Sequence, residues 1–86
     1  MEQVIQEIQS ILAGAFPGAT AELELYPGGD KVGGSLIWDG FLDVQEIDRQ
    51  RQISRALREK LGDDFRATTT TILAFTPWEV AVMREG

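Results

Sequence analysis

The chain has 86 residues, a formal charge of −6, and neither cysteine nor histidine. That length gives one domain over 1–86 with a modest core, and the composition excludes disulfides, thiolate chemistry and imidazole catalysis. A domain this acidic repels a phosphate backbone on average, and its carboxylates show no EF-hand spacing. No run approaches the ~20 apolar residues that span a bilayer. The stretch MEQVIQEI is acidic and amphipathic, unlike a signal peptide. A soluble cytoplasmic protein is expected, and the missing cysteine fits a reducing compartment.

Glu2 to Ala15 is expected to form the first helix. Val4, Ile5, Ile8, Ile11, Leu12 and Ala15 recur at three- and four-residue spacing, with polar residues opposite. Phe16-Pro17-Gly18 ends it, since proline disfavours a helical residue before it. Ala19 to Tyr26 alternates: Ala19, Ala21, Leu23 and Leu25 point one way, Thr20, Glu22, Glu24 and Tyr26 the other. That predicts a strand with one wet face. Pro27 to Gly34, PGGDKVGG, reads as a hairpin connection. A glycine-rich loop cradles phosphate where it opens a helix, but this one runs into the strand signal Ser35 to Trp38.

Asp39-Gly40 marks a turn. Asp43 and Glu46 have capping-box spacing, which predicts a second helix from Val44 to Leu61, closed by Gly62. On a helical wheel Ile47, Ile53, Leu57 and Leu61 share an arc of about 120°. Gln50 lies inside that arc, a polar amide expected to bond to backbone or reach water at the end of the sheet. Arg49, Arg51, Arg55, Arg58 and Lys60 carry most of the positive charge. As a solvated face they would pair through Asp48–Arg55 and Arg55–Glu59.

Asp63-Asp64 form an acidic turn. Phe65 to Phe75, FRATTTTILAF, is the strongest strand signal. Plain alternation puts Phe65, Ala67, Thr69, Thr71, Leu73 and Phe75 on one face, and Thr68, Thr70, Ile72 and Ala74 on the other. The four threonines have no base to activate them and read as sheet residues. Thr76-Pro77-Trp78-Glu79 supplies a cap, a first-turn proline and an acid, which predicts a short last helix to Glu85. The order helix, strand, strand, helix, strand, short helix implies an α+β domain: a three-stranded mixed sheet with helices packed on one face.

Three features resemble the BolA-like family. LIWDGF is similar to that family's strand ending in Asp-x-Phe, at Asp39 and Phe41. An Arg-x-Arg pair then precedes a leucine-rich helix, at Arg49, Arg51, Ile53, Leu57 and Leu61. Ala74-Phe75-Thr76-Pro77 is similar to the family's Ala-Tyr-Thr-Pro. The resemblance covers nearly the whole chain and rests on joint order and spacing. It implies a fold like the class II KH domain, and a central third strand parallel to one neighbour would support it. It also implies a monothiol glutaredoxin as partner, sharing a 2Fe–2S cluster.

The departures fall on the cluster ligands. The family's Arg-His-Arg is Arg49-Gln50-Arg51 here. Its histidine early in the last strand falls near Ala67 or Thr68. The loop between the first strands offers only Asp30, and the tryptophan after Thr-Pro is replaced by Val80, with Trp78 two residues earlier. No cofactor is therefore expected. The function expected is a non-enzymatic protein-interaction or regulatory module, with Asp30, Arg49, Gln50, Arg51, Phe75 and Trp78 as its contact surface. Trp38 and Trp78 either fill the core or, where exposed, anchor contacts. The alternative is a KH-like nucleic-acid binder using the basic face of the second helix. Net charge disfavours it, as does the absence of a Gly-x-x-Gly loop between two helices; Gly29 and Gly34 lie between strands. An enzyme would have to rely on carboxylates such as Asp39 and Asp43.

Overall fold

The computed structural model describes residues 2–26, 28 and 31–85. Helix α1 (Glu2–Ala15) leads into β1 (Thr20–Leu25) and β2 (Val32–Ile37). A 3-10 turn at Asp39–Phe41 precedes α2 (Glu46–Leu61), and a second at Asp63–Ala67 precedes β3 (Thr69–Phe75) and α3 (Pro77–Glu85). This is the α+β order and mixed sheet expected from the sequence. β2 lies in the middle, antiparallel to β1 and parallel to β3. The third strand is thus an edge strand, not the central one. β1 and β2 form a hairpin, and α2 carries the chain across to the free side of β2, where a parallel strand can add.

α1 and α2 cover one face of the sheet. Ile8 and Leu12 of α1, Phe16 just after it, and Ile53, Ala56 and Leu57 of α2 form one buried cluster with Val32 and Leu36 of β2 and Ile72 and Ala74 of β3. Fully burying one such large side chain contributes about 1.5–3 kcal/mol, so a domain this small depends on nearly all of them. Phe16, Trp38 and Phe41 close one end, with ring centroids 5.1 to 5.6 Å apart in tilted and edge-to-face arrangements. The Trp38 indole N–H donates to the Pro17 carbonyl at 2.9 Å. Trp38 therefore ties the turn after α1 to the end of β2.

Two glycines read as loop belong to the sheet. β2 starts at Val32, and Gly33 and Gly34 pair with Glu24 and Leu23. Gly34 has a φ of +143°, and a Cβ there would run into the Glu22 carbonyl. A Cβ on Gly33 would lie 2.6 Å from both the Tyr26 ring and the Thr70 methyl. The backbone is bare here because neighbouring strands occupy the space a side chain would take.

β3 departs from plain alternation. Phe65 is buried from a 3-10 turn rather than from a strand, and β3 starts at Thr69. The register runs from Val32↔Thr69 to Gly34↔Ile72, so β3 spends one extra residue as a bulge. Thr69 and Ile72 consequently both face the helices. Faces predicted from alternation invert at this point.

The glycines give a paired test. Gly34→Ala should lower stability by about 2–4 kcal/mol, through strain at positive φ and the carbonyl collision. Gly14→Ala, in α1 with open space around it, should raise stability by about 0.5–1 kcal/mol. Urea unfolding of both variants checks the contrast.

Candidate functional site

Of the polar residues expected to act together, Arg49 and Gln50 both reach β3, and Arg49 does so where α2, β3 and α3 converge. Arg49 is buried there, 7% exposed. Its Nε donates to the Val44 carbonyl at 2.8 Å, and its Nη1 to the Ala74 carbonyl at 3.2 Å and to Glu79 Oε1 at 2.7 Å. The guanidinium also lies 5.6 Å from the Phe41 ring centre. Three of its five N–H donors go to these contacts and its side chain is 9% exposed, so Arg49 is not an exposed contact residue.

Glu79 closes a reciprocal cap on α3. The Thr76 N–H donates to Glu79 Oε1 at 2.6 Å, and the Glu79 N–H donates to Thr76 Oγ1 at 3.2 Å. The Arg49 bond, aided by the Thr76 N–H, holds the Glu79 carboxyl below the ordinary carboxylate range against a smaller desolvation cost. The helix start read at Thr76-Pro77-Trp78-Glu79 forms as expected.

The cap expected on α2 does not form. Asp43 adopts φ +64° in the turn, and the helix starts at Glu46 with Gln45 as an N-cap that makes no side-chain bond. Glu46 instead accepts from the Gln50 amide at 3.1 Å. The buried stripe of α2 is Arg49, Ile53, Ala56 and Leu57, and Ile47 is 57% exposed. The stripe is turned away from the predicted arc because Arg49 seats against the end of the sheet. Gln50 sits at its margin and donates to the Ile72 carbonyl at 2.8 Å. Its amide is bonded to backbone, one of the two environments expected for it.

The remaining expected residues are scattered. Arg51 is exposed and pairs with Asp48 at 3.4 Å. Arg58 pairs with Asp63 at 3.5 Å; these replace the expected Asp48–Arg55 and Arg55–Glu59 pairs among the described residues. Phe75 is half-buried and Trp78 is 56% exposed. Asp30 lies outside the described residues, as does part of the glycine-rich loop. Asp39 and Asp43 are both exposed in the turn before α2.

Two surfaces emerge that the sequence reading missed in part. On α3, Trp78 and Val82 are one turn apart and both exposed, with Met83 exposed beside them. A wheel drawn over 77–85 would have found that stripe. Along α2, a groove against the bulged start of β3 is lined by Lys31, Gln50, Ser54, Arg66 and Thr70. It adjoins a hollow lined by Ile47, Arg51, Arg55 and Arg58 that shares Gln50, Ser54 and Arg66. Among the described residues no carboxylate lines either one. Arg58 and Arg66 both lie against the buried Phe65 ring, at 5.7 and 5.4 Å from its centre. Arg66 was missed because a plain strand was expected there.

The residues at the family's ligand positions do not fit a 2Fe–2S cluster. Gln50 is bonded to Glu46 and to the Ile72 carbonyl, and the Thr68 hydroxyl donates to the Phe65 carbonyl. Among the described residues no three acidic side chains gather to hold a metal ion, and no helix is long and apolar enough to cross a membrane. No protein-family model matches the chain, and no curated protein matches it.

Arg49→Ala should cost about 2–4 kcal/mol, because the buried Ala74 carbonyl, the part-buried Val44 carbonyl and Glu79 all lose their donor. Arg49→Lys should recover little of it, since an ammonium cannot reproduce the fork. Chemical unfolding of both variants measures this. The Glu79 contribution is present above the ordinary carboxylate range and is lost as pH falls through its lowered value. Glu79→Gln should therefore show a shallower loss of stability on acidification, read as urea midpoint against pH. The share is modest because this side chain is 46% exposed.

Proposed function

We propose that the chain is a non-enzymatic protein-interaction module on a BolA-like scaffold, acting in the cytoplasm without the family's cluster role. The observation that carries this is the exposed Trp78–Val82 stripe on α3, set beside polar residues that are already bonded to one another. An unpartnered apolar stripe is a place for contact, and tryptophan is a frequent anchor. The polar groups at the same corner, Arg49, Thr76 and Glu79, are engaged with one another.

The partner implied by the resemblance is a monothiol glutaredoxin. Calorimetric titration of the purified pair should give saturable heat. Trp78→Ala should weaken binding about tenfold or more, with stability changed by no more than about 0.5 kcal/mol. Absence of heat removes that partner, and equal affinity in the variant removes the α3 corner as the contact surface.

A second reading, nucleic-acid binding, is favoured by the groove carrying Lys31, Arg51, Arg55, Arg58 and Arg66, with no carboxylate among its described lining residues. A polyanion would meet local positive charge there despite the net charge of −6. Filter binding to single-stranded nucleic acid across a salt series tests it. Retention that falls steeply with salt, and falls again in Arg55→Ala/Arg66→Ala, supports it; no retention or a flat response ends it.

A further inference from the structure

The two edges of the sheet are finished differently. On β3, the Phe75 carbonyl accepts from the Trp38 N–H at 2.9 Å, toward β2. By strand alternation the Ile72 and Ala74 carbonyls point to the open side. α2 takes both: Gln50 donates to Ile72 and Arg49 to Ala74. On β1, the Tyr26 N–H donates to the Lys31 carbonyl. Thr20, Glu22 and Glu24 therefore turn their backbone groups toward β2, and Ala21, Leu23 and Leu25 turn theirs outward. Among the described residues no other group bonds to those outward N–H and C=O groups.

Side chains along this edge sort by face. Ala21, Leu23 and Leu25 are half-buried on the side of α1. Glu22 and Glu24 are exposed on the opposite side and flank a shallow hollow over Gly34 and Ser35. Arg84 reaches Glu22 at 3.3 Å across open surface, a contact of little strength. Among the described residues no cation pairs with Glu24.

We infer that the outer edge of β1 receives an extended segment of a partner protein carrying Lys or Arg at every second position. This rests on the interaction reading above and uses a sheet edge that borders α3 through Arg84 but is not lined by Trp78. The segment adds a fourth strand by bonding to Ala21, Leu23 and Leu25. Its basic side chains lie beside Glu22 and Glu24, and its apolar ones beside Leu23 and Leu25. A second copy of this chain is a poor occupant, because β1 against β1 sets glutamate beside glutamate.

The probe is a capped peptide of about six residues alternating lysine and valine, with its glutamate–valine counterpart as control. Amide hydrogen exchange is read in the full chain. The lysine peptide should slow exchange at Ala21, Leu23 and Leu25 by about tenfold or more, while the glutamate peptide has no effect. Glu22→Lys/Glu24→Lys should exchange the two preferences. Ala21→Pro, which removes an outward N–H and spares the β2 ladder, should weaken the lysine peptide. If that variant fails to fold, the charge swap decides alone. Protection by neither peptide, or by both equally, overturns the inference. So does dimerisation of Glu22→Thr/Glu24→Thr without peptide binding, which would make the glutamates a guard against self-pairing only. Trp78→Ala should leave the peptide effect unchanged. Lost glutaredoxin binding with retained peptide protection thus separates failure of the α3 corner from failure of this edge.

Discussion

Arg49 leaves the fourth position of α2 and reaches the Val44 carbonyl before the helix, the Ala74 carbonyl on β3 and the Glu79 carboxylate on α3, with the Phe41 ring against it. The turn before α2, strand β3 and helix α3 thus converge on one planar cation. Charge-assisted bonds of this kind are worth about 1.5–3 kcal/mol each, and desolvating the guanidinium offsets much of that. Its main consequence is positional. α2 cannot rotate without dropping the Ala74 carbonyl, and α3 cannot leave β3 at another angle without dropping Glu79.

From that placement the rest of the surface follows. Because Arg49 claims the sheet side of α2, Ile47 turns out to solvent and the arginines from Arg51 to Arg58 line the far side. Because Glu79 is held at the base of α3, Pro77, Val80, Ala81 and Arg84 border Thr20, Glu22 and Ile37, while Trp78 and Val82 are left in water. The interior of this corner is chemically saturated; no buried side-chain polar atom lacks a partner among the described residues. What the molecule presents outward is charge and apolar area.

Elements governed by local spacing were legible in the sequence. The stripe of α1, the alternation of β1 and the Thr76–Glu79 cap are each fixed by residues within a few positions of one another. What escaped was set by partners far along the chain. Gly33 and Gly34 looked like loop because the Tyr26 ring and the Glu22 carbonyl that require them lie on another strand. The bulge was hidden inside four identical residues, where composition carries no phase. Arg49 looked like a surface cation because its acceptors sit 25 and 30 residues away. Gln50 was legible in part: its place beside an apolar face was plain, but the carbonyl it meets was not.

The two tryptophans end in opposite surroundings, and each becomes an intrinsic optical reporter of a different event. The Trp38 indole is clasped between two phenylalanine rings with its N–H on the Pro17 carbonyl, so its emission tracks whether the domain is assembled. Trp78 is bathed by solvent on the last helix, so its emission and its access to a soluble quencher track whether anything has settled on that helix. One chain therefore distinguishes unfolding from occupancy by light alone, with no label attached.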